Sequence, residues 1–280
     1  MGRGRDWIYN KFWCGLFFSL AMYEFIKLDT SDGIATLTLN RPEVYNAFND
    51  GLTYDIQKGI AAVAEDPAVR VLIITGEGKA FSSGQDLKDA MQHQGRSFSE
   101  SLHKRYNPII LALRQMPKPV ICQLNGVAAG AGCSLALACD MIIASTDAYL
   151  VEVFVNIGLV LDSGSTYFLP RLVGYNKAFE LSTMGTRLSA EEAERLGIVN
   201  AVCPADQLEN KVRECAAYYA QAPTKAIGLM KRMLNQSGQA SLEEVLNMEA
   251  ECQDVAGATA DFGEGIQAFL EKRKPEFKGS

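Results

Sequence analysis

Short apolar runs recur along this chain between stretches whose apolar residues fall three and four positions apart, a pattern that predicts strands alternating with helices. Residues 24–28 and 34–39 read as strands joined by the hairpin signal Ser31-Asp32-Gly33. Helical spacing follows from 49 to 64 and ends before Pro67; 69–75 is then a β-branched apolar strand leading into the loop Gly76-Glu77-Gly78-Lys79. Residues 88–101 are polar, with Gly95 and several serines, and are expected to be mobile. One helix is expected over 101–115, stopped by Pro117. The stretch from Pro119 to Asp140 reads as a buried strand, a glycine-rich turn and a small-residue helix that begins near Ala131, and 141–144 is another short buried strand. Apolar strands alternating with helices indicate an α/β architecture with mainly parallel pairing.

From Ser163 onward the pattern is almost entirely helical. Ser189-Ala190-Glu191-Glu192 is a capping-box sequence opening a helix that ends at Gly197, and Ser241-Leu242-Glu243-Glu244 opens another. A short strand is expected at 199–202, before Pro204. No repeat or low-complexity linker divides the chain. We therefore divide it into an extension (1–22), an α/β core (23–205) and a helical subdomain packed on it (206–280).

Composition narrows the function. The net charge of -6, without a basic stripe, argues against a nucleic-acid partner. Seven cysteines (14, 122, 133, 139, 203, 215, 252) form no Cys-x-x-Cys pair and sit partly inside apolar runs, as small core residues of a reducing compartment do. With only two histidines, His93 and His103, neither a histidine triad nor a metal site is expected. Arg3, Arg5 and Lys11 precede an apolar run over 12–22 that resembles a signal peptide or short anchor, and Ser19-Leu20-Ala21 imitates a cleavage site. That run falls short of the ~20 apolar residues a span requires. The preferred reading is an in-frame extension before a start at Met22, giving a cytoplasmic protein with no stable membrane insertion.

Two glycine turns carry the candidate chemistry. Gly126, Gly130 and Gly132 let backbone approach a ligand closely, and the helix that follows presents N–H groups without intrahelical partners. Such a turn can hold an oxygen that becomes negative during reaction. The second turn, Lys79 through Ser82-Ser83-Gly84-Gln85-Asp86-Leu87, is by itself no more than a turn; paired with the first it offers two backbone donors to one carbonyl oxygen.

Phe81-x-x-Gly84-x-Asp86-Leu87, Pro117-Lys118-Pro119-Val120-Ile121 and Asn125-Gly126 through Asp140 resemble the crotonase (enoyl-CoA hydratase/isomerase) superfamily. Leu39-Asn40-Arg41-Pro42-Glu43-x-x-Asn46-Ala47, Arg187-Leu188-Ser189-Ala190-Glu191-Glu192-Ala193 and the tail Phe269 to Phe277 extend the resemblance over about 22–278. It implies a spiral of ββα units with a C-terminal helical trimerisation region, assembled as a trimer or a dimer of trimers. It also implies acyl-CoA thioester substrates, with no cofactor beyond the coenzyme A they carry. The enolate oxygen would be held by the N–H groups of Gln85 and Ala131. Ala47, Ser83, Asp86, Leu87, Gly130, Ser134 and Phe154 would line the substrate site, and basic residues near the C-terminus would reach the nucleotide phosphates.

The reaction depends on the acids and bases of the pocket. The hydratases of the superfamily use two glutamates; their positions here are Ser134 and Phe154, so the acid–base pair for water addition is missing. A carboxylate stands instead at Asp162, in Gly158-Leu159-Val160-Leu161-Asp162-Ser163-Gly164-Ser165-Thr166. On spacing alone it reads as a helix N-cap. The position, however, resembles that of the lone catalytic aspartate of superfamily isomerases, including the dienoyl-CoA isomerases, and the surrounding pattern is most similar to the ring-epoxide isomerases of aerobic phenylacetate breakdown. In that context the expectation is an isomerase in which Asp162 moves a proton between carbons. Asp86 is expected to brace its loop, Glu152 to be solvated, Cys133 to pack, and Tyr167 and Phe168 to line an acyl pocket or the core. The rivals are a hydratase or hydrolase with a relocated acid at Glu152 or Asp86, and a non-catalytic CoA-binding or RNA-associated homologue.

Overall fold

The computed structural model describes residues 23–92 and 95–280; the extension 1–22 lies outside the described residues. The chain opens with an antiparallel hairpin, β1 (Ile26–Ser31) and β2 (Ile34–Leu39), turning at Asp32 and Gly33, and continues through α1 (Asp50–Glu65) to β3 (Val71–Gly76). From β3 onward each turn of a spiral contributes one strand to each of two sheets. β3 is followed by β4 (Ala80–Ser82), then by α2 (Leu87–Gln92), α3 (Phe98–Ser101) and α4 (Asn107–Gln115). β5 (Val120–Leu124) and β6 (Val127–Ala129) lead into α5 (Ala131–Ala138), and β7 (Met141–Ser145) and β8 (Tyr149–Val151) into α6 (Ser165–Met184). The last strands are β9 (Leu188–Ser189) and, after α7 (Ala190–Arg195), β10 (Ala201–Cys203).

The larger sheet runs β1-β2-β3-β5-β7-β10, parallel except for the hairpin, and the smaller runs β4-β6-β8-β9. All six residues of β3 are buried, as expected for a strand covered on both faces. One face meets α1, through Leu52, Ile56 and Ile60; the other meets α8 (Leu208–Ala220), through Leu208, Val212 and Ala216. The 206–280 segment thus begins with a helix that closes the core sheet. It then continues as α9 (Thr224–Ser237), α10 (Leu242–Gly257) and α11 (Ala260–Glu271). The full reciprocal capping box forms at Ser241 and Glu244, while Ser189 contributes its side-chain bond to the Glu192 N–H. No helix among the described residues is long and apolar enough to cross a membrane.

The polar segment expected to be mobile is structured on both sides of residues 93–94. Asp86 Oδ1 accepts from the Lys88 and Asp89 N–H groups at the start of α2, Ser97 caps α3, and Arg96 grips Asp50 with two 2.7 Å bonds. The single helix expected over 101–115 is interrupted by a π-helical turn, Leu102–Tyr106, which shifts the facing of the residues before α4.

Asp140 ties α9 to this core. Its carboxylate accepts from the Val120 N–H (2.8 Å), Arg114 (3.0 Å) and Lys231 (2.6 Å), and the Lys231 ammonium, itself buried, also donates to the carbonyls of Leu113 and Lys118. Breaking such a pair from one side leaves a buried charge uncompensated. Asp140→Ala is expected to lower unfolding free energy by about 3–5 kcal/mol, read from urea unfolding curves at unchanged slope.

Candidate active site

The two glycine turns meet where a side chain would not fit. A Cβ on Gly84 would stand 2.7 Å from the Ala129 carbonyl oxygen and 3.5 Å from the Ala131 nitrogen. A Cβ on Gly132 would stand 2.6 Å from the Ser82 carbonyl oxygen. Gly84 and Gly130 also have φ of +86° and +51°, which other residues rarely adopt. The 79–87 loop is held from its far side by residues 41–48. Ser83 N–H donates to the Tyr45 carbonyl, Phe48 N–H to the Gly84 carbonyl (2.7 Å) and Asp86 N–H to the Phe48 carbonyl (3.0 Å). Asn46, fully buried and at positive φ, braces the same loop by donating to the carbonyls of Glu77 and Ala80.

This bridge orients Gln85. In a parallel pairing the neighbours of a residue reach the partner strand while its own N–H and C=O point the other way. Gly84 and Asp86 bond Phe48, so the Gln85 N–H faces away from residue 48, toward the side where β6 and the start of α5 run. There Ala131 is the first residue of α5, whose eight residues are all buried, and its N–H has no intrahelical acceptor. The Gln85 side chain is fixed as well. Its amide donates to the carbonyls of Phe48 and Asp86, and its Oε1 accepts from the Tyr106 hydroxyl.

Tyr106, at the end of the π-helical turn, is buried edge-on against Phe48, and the Asp162 charge reaches it. Burial is the larger reason that its hydroxyl stays protonated well above the ordinary tyrosine range. It was missed in the sequence because a continuous helix gave no cue to which face it would occupy. Asp162 itself does not cap α6. The residue at the cap position is Gly164, at φ +90°, with no side-chain cap bond. The N-cap reading of Asp162 is therefore corrected. Its Oδ1 accepts from the Ser163 hydroxyl (2.8 Å), and burial raises the carboxyl above the ordinary range despite that bond.

Ser134 and Phe154 are both buried. The Ser134 hydroxyl lies 2.8 Å from that of Ser165 and donates to the Asp162 carbonyl (3.1 Å), while the Phe154 ring stands against Gly130. Ala47 is buried beside the bridge and Leu87 is exposed. Burial would push Asp86 up, but the Asp89 and Lys88 N–H groups and the Arg41 guanidinium (3.1 Å) together hold it below the carboxylate range. Asp86 braces its loop, as expected. Glu152 departs from expectation. Just past β8 it is only 3% exposed, not solvated, and neither carboxyl oxygen has a hydrogen-bond partner among the described residues. Burial, with a smaller push from Asp162, raises it to about 7; the neighbouring Ser165 hydroxyl and Cys133 thiol oppose this from beyond hydrogen-bond geometry. Tyr167 and Phe168 wall a cleft of about 810 Å³ between α4, α6 and α9, which reaches Ser163 beside Asp162. Arg273, among the basic residues of the tail, is paired with Glu264 and Glu271.

The sequence profile of the enoyl-CoA hydratase/isomerase family matches residues 29–280. The chain is 40% identical over 261 residues to the 1,2-epoxyphenylacetyl-CoA isomerase of Escherichia coli K12, covering 92% of this chain and all of that protein. It is 38% identical to a probable enoyl-CoA hydratase of Rhodobacter capsulatus, covering 92% of this chain and 99% of the relative. The crystal structure of an enoyl-CoA hydratase from Bacillus anthracis superposes with a TM-score of 0.86 at 34% identity, over 92% of this chain and 100% of that one.

Burying Glu152 makes stability depend on pH. Its folded value of about 7 lies above the ordinary 4.5, so the folded chain holds the proton more tightly. The stability this adds is complete below the unfolded value and is lost as pH rises through about 7. Relative to wild type, Glu152→Gln is expected to gain stability by about 3 kcal/mol between pH 4 and pH 8. Urea unfolding of both proteins across that range measures it, and a pH-independent difference contradicts it.

Proposed function

The chain belongs to the enoyl-CoA hydratase/isomerase family, and on that premise we propose that it is an acyl-CoA isomerase with one catalytic carboxylate, Asp162. The observation that carries this reading is the environment of Asp162. It is partly desolvated, which raises its carboxyl above the ordinary range, and it is not used to cap α6. It also acts on the same Tyr106 that anchors Gln85. At the two positions where the family resemblance calls for hydratase glutamates stand Ser134 and Phe154, neither able to exchange a proton near neutral pH.

The thioester carbonyl oxygen is placed between the N–H groups of Gln85 and Ala131. Asp162 removes a proton from a carbon conjugated with that carbonyl; the C–H electron pair moves into the carbon framework and the carbonyl oxygen becomes an enolate. Fixed donors aimed at that charge stabilise it without reorganising. The protonated Asp162 then returns its proton to a different carbon, the electrons leave the oxygen, and the double bond has moved. One carboxylate suffices because it serves in turn as base and acid. The cleft walled by Tyr167 and Phe168 reaches Ser163, but Gln85, Ala131 and Asp162 do not line it, so it is not assigned to the acyl group. The name of the Escherichia coli relative supports an aromatic, epoxide-derived acyl group as the first substrate to test.

Glu152 favours one alternative: a hydratase whose acid has moved to this residue, which holds a proton up to about 7. Asp86, held ionised by the Asp89 N–H and the Arg41 guanidinium, does not fit that role. Mass spectrometry of products separates the readings, since isomerisation leaves the thioester mass unchanged and hydration adds one water. Asp162→Asn is expected to lower kcat by about 10²- to 10⁴-fold while still binding CoA ligands. Near-normal turnover by that variant contradicts the isomerase reading.

A further inference from the structure

A buried polar layer lies between α5 and α6, directly beneath the proposed site. From Asp162 inward it runs from the Asp162 carbonyl to the Ser134 hydroxyl (3.1 Å) and on to the Ser165 hydroxyl (2.8 Å). Ser165 and Cys133 are the nearest polar neighbours of the Glu152 carboxyl, but neither of its two buried oxygens is hydrogen-bonded among the described residues, so the bond from Glu152 to Ser165 belongs to the proposal. Ser134 and Ser165 are fully buried, and Ser165 also donates its N–H to the Asp162 carbonyl (3.1 Å). The whole layer therefore acts on the backbone of the residue that carries the proposed catalytic carboxylate.

Hydrogen-bond bookkeeping defines two states of this layer. If Ser134 donates to the Asp162 carbonyl and Ser165 donates to Ser134, the Ser165 oxygen is left to accept, and only a donor beside it completes the run. A protonated Glu152 is such a donor. An ionised Glu152 only accepts; it draws the Ser165 proton toward itself, frees Ser134 to turn to Ser165 or to the Gly130 carbonyl (3.3 Å), and leaves the Asp162 carbonyl with one donor fewer. The titratable groups facing Glu152 are the Cys133 thiol on α5, itself held protonated by burial, and Asp162 ahead of α6. The remaining walls of its small cavity, including Leu137, Leu169, Leu181, Leu188 and Ile198, bring no charge.

We propose that Glu152 is a positioning residue of the reaction, which in its protonated form completes the Ser165–Ser134 hydrogen-bond run and so fixes the Asp162 loop for proton transfer. This rests on the reading of Asp162 as acid and base. Glu152 touches no reacting atom; it acts through two serines on the backbone of the residue that does. Ionising it reverses the run and places a second negative charge behind Asp162, so turnover falls as Glu152 loses its proton.

The test is the pH dependence of kcat and KM on a thioester that the wild-type protein isomerises, between pH 5.5 and 9. Wild-type kcat is expected to fall by roughly tenfold on the alkaline side, with KM little changed. In Glu152→Gln, whose amide donates at every pH, that alkaline limb is expected to disappear. In Glu152→Leu, which has no donor, kcat is expected to be lowered throughout without the limb. Coincident pH profiles of wild type and Glu152→Gln, both folded and binding CoA ligands, overturn the proposal. Asp162→Asn run alongside separates the two failures: if it stays active, the reading of Asp162 is wrong; if it is inactive while the Glu152 profiles coincide, only the role of Glu152 is wrong.

Discussion

Backbone passes backbone at Gly84 and Gly132 at distances that no side chain would permit, and the site depends on that contact. A methyl group on either residue would press on a carbonyl oxygen at under 3 Å and separate the two turns. The turns belong to successive coils of the spiral. One follows β4 and the other follows β6, which pair in parallel, so the sheet brings them side by side and the glycines set how closely. Residues 41–48 then press on the outer loop through Asn46 and the Phe48 bridge, turning the Gln85 N–H inward. The proposed pair of donors, from distant parts of the chain, is thereby held rigidly, as charge stabilisation would require.

On the proposed function, the molecule separates holding charge from moving protons. The first task needs no particular side chain at 85 or 131. In the proposed reading the second falls to a layer between α5 and α6 in which burial raises both Asp162 and Glu152, while Asp86, a short distance along the outer loop, is held ionised by the Asp89 N–H and Arg41. Carboxylates in one region are thus driven apart in proton affinity by their surroundings, the arrangement that lets acid–base chemistry run near neutral pH. Ser134 and Phe154 fit this division. One becomes part of the hydrogen-bonded layer, and the other closes the wall against Gly130.

Much of this was legible in the chain. β3, β5 and β7 announce themselves as continuous apolar runs because they are covered on both faces. Both glycine turns are visible as motifs, and Asp162 stands out through the segment around it. Strands β4 and β6, only three residues each, are too short to display a period. Glu152 was misread because a glutamate beside a short strand is ordinarily solvated. The walls around it come from several separate segments, including Leu137 of α5, Leu169 and Leu181 of α6, and Ile198. Asp162 imitates a helix cap, but the chain turns through positive φ at both Ser163 and Gly164, so the cap position falls at Gly164. Tyr106 was hidden by a π-helical turn that hydrophobic spacing does not reveal.

In the proposed mechanism an enolate oxygen sits between the N–H groups of Gln85 and Ala131 with Asp162 facing the reacting carbons. A crystal structure with a CoA thioester that mimics the enolate, such as acetoacetyl-CoA, tests this most directly. The predicted result is a thioester oxygen about 2.7–3.1 Å from both nitrogens, and a carboxylate oxygen of Asp162 about 3–3.5 Å from a carbon that exchanges its proton. A thioester oxygen bonded to neither N–H, or an Asp162 carboxylate turned away from the acyl group, would contradict it.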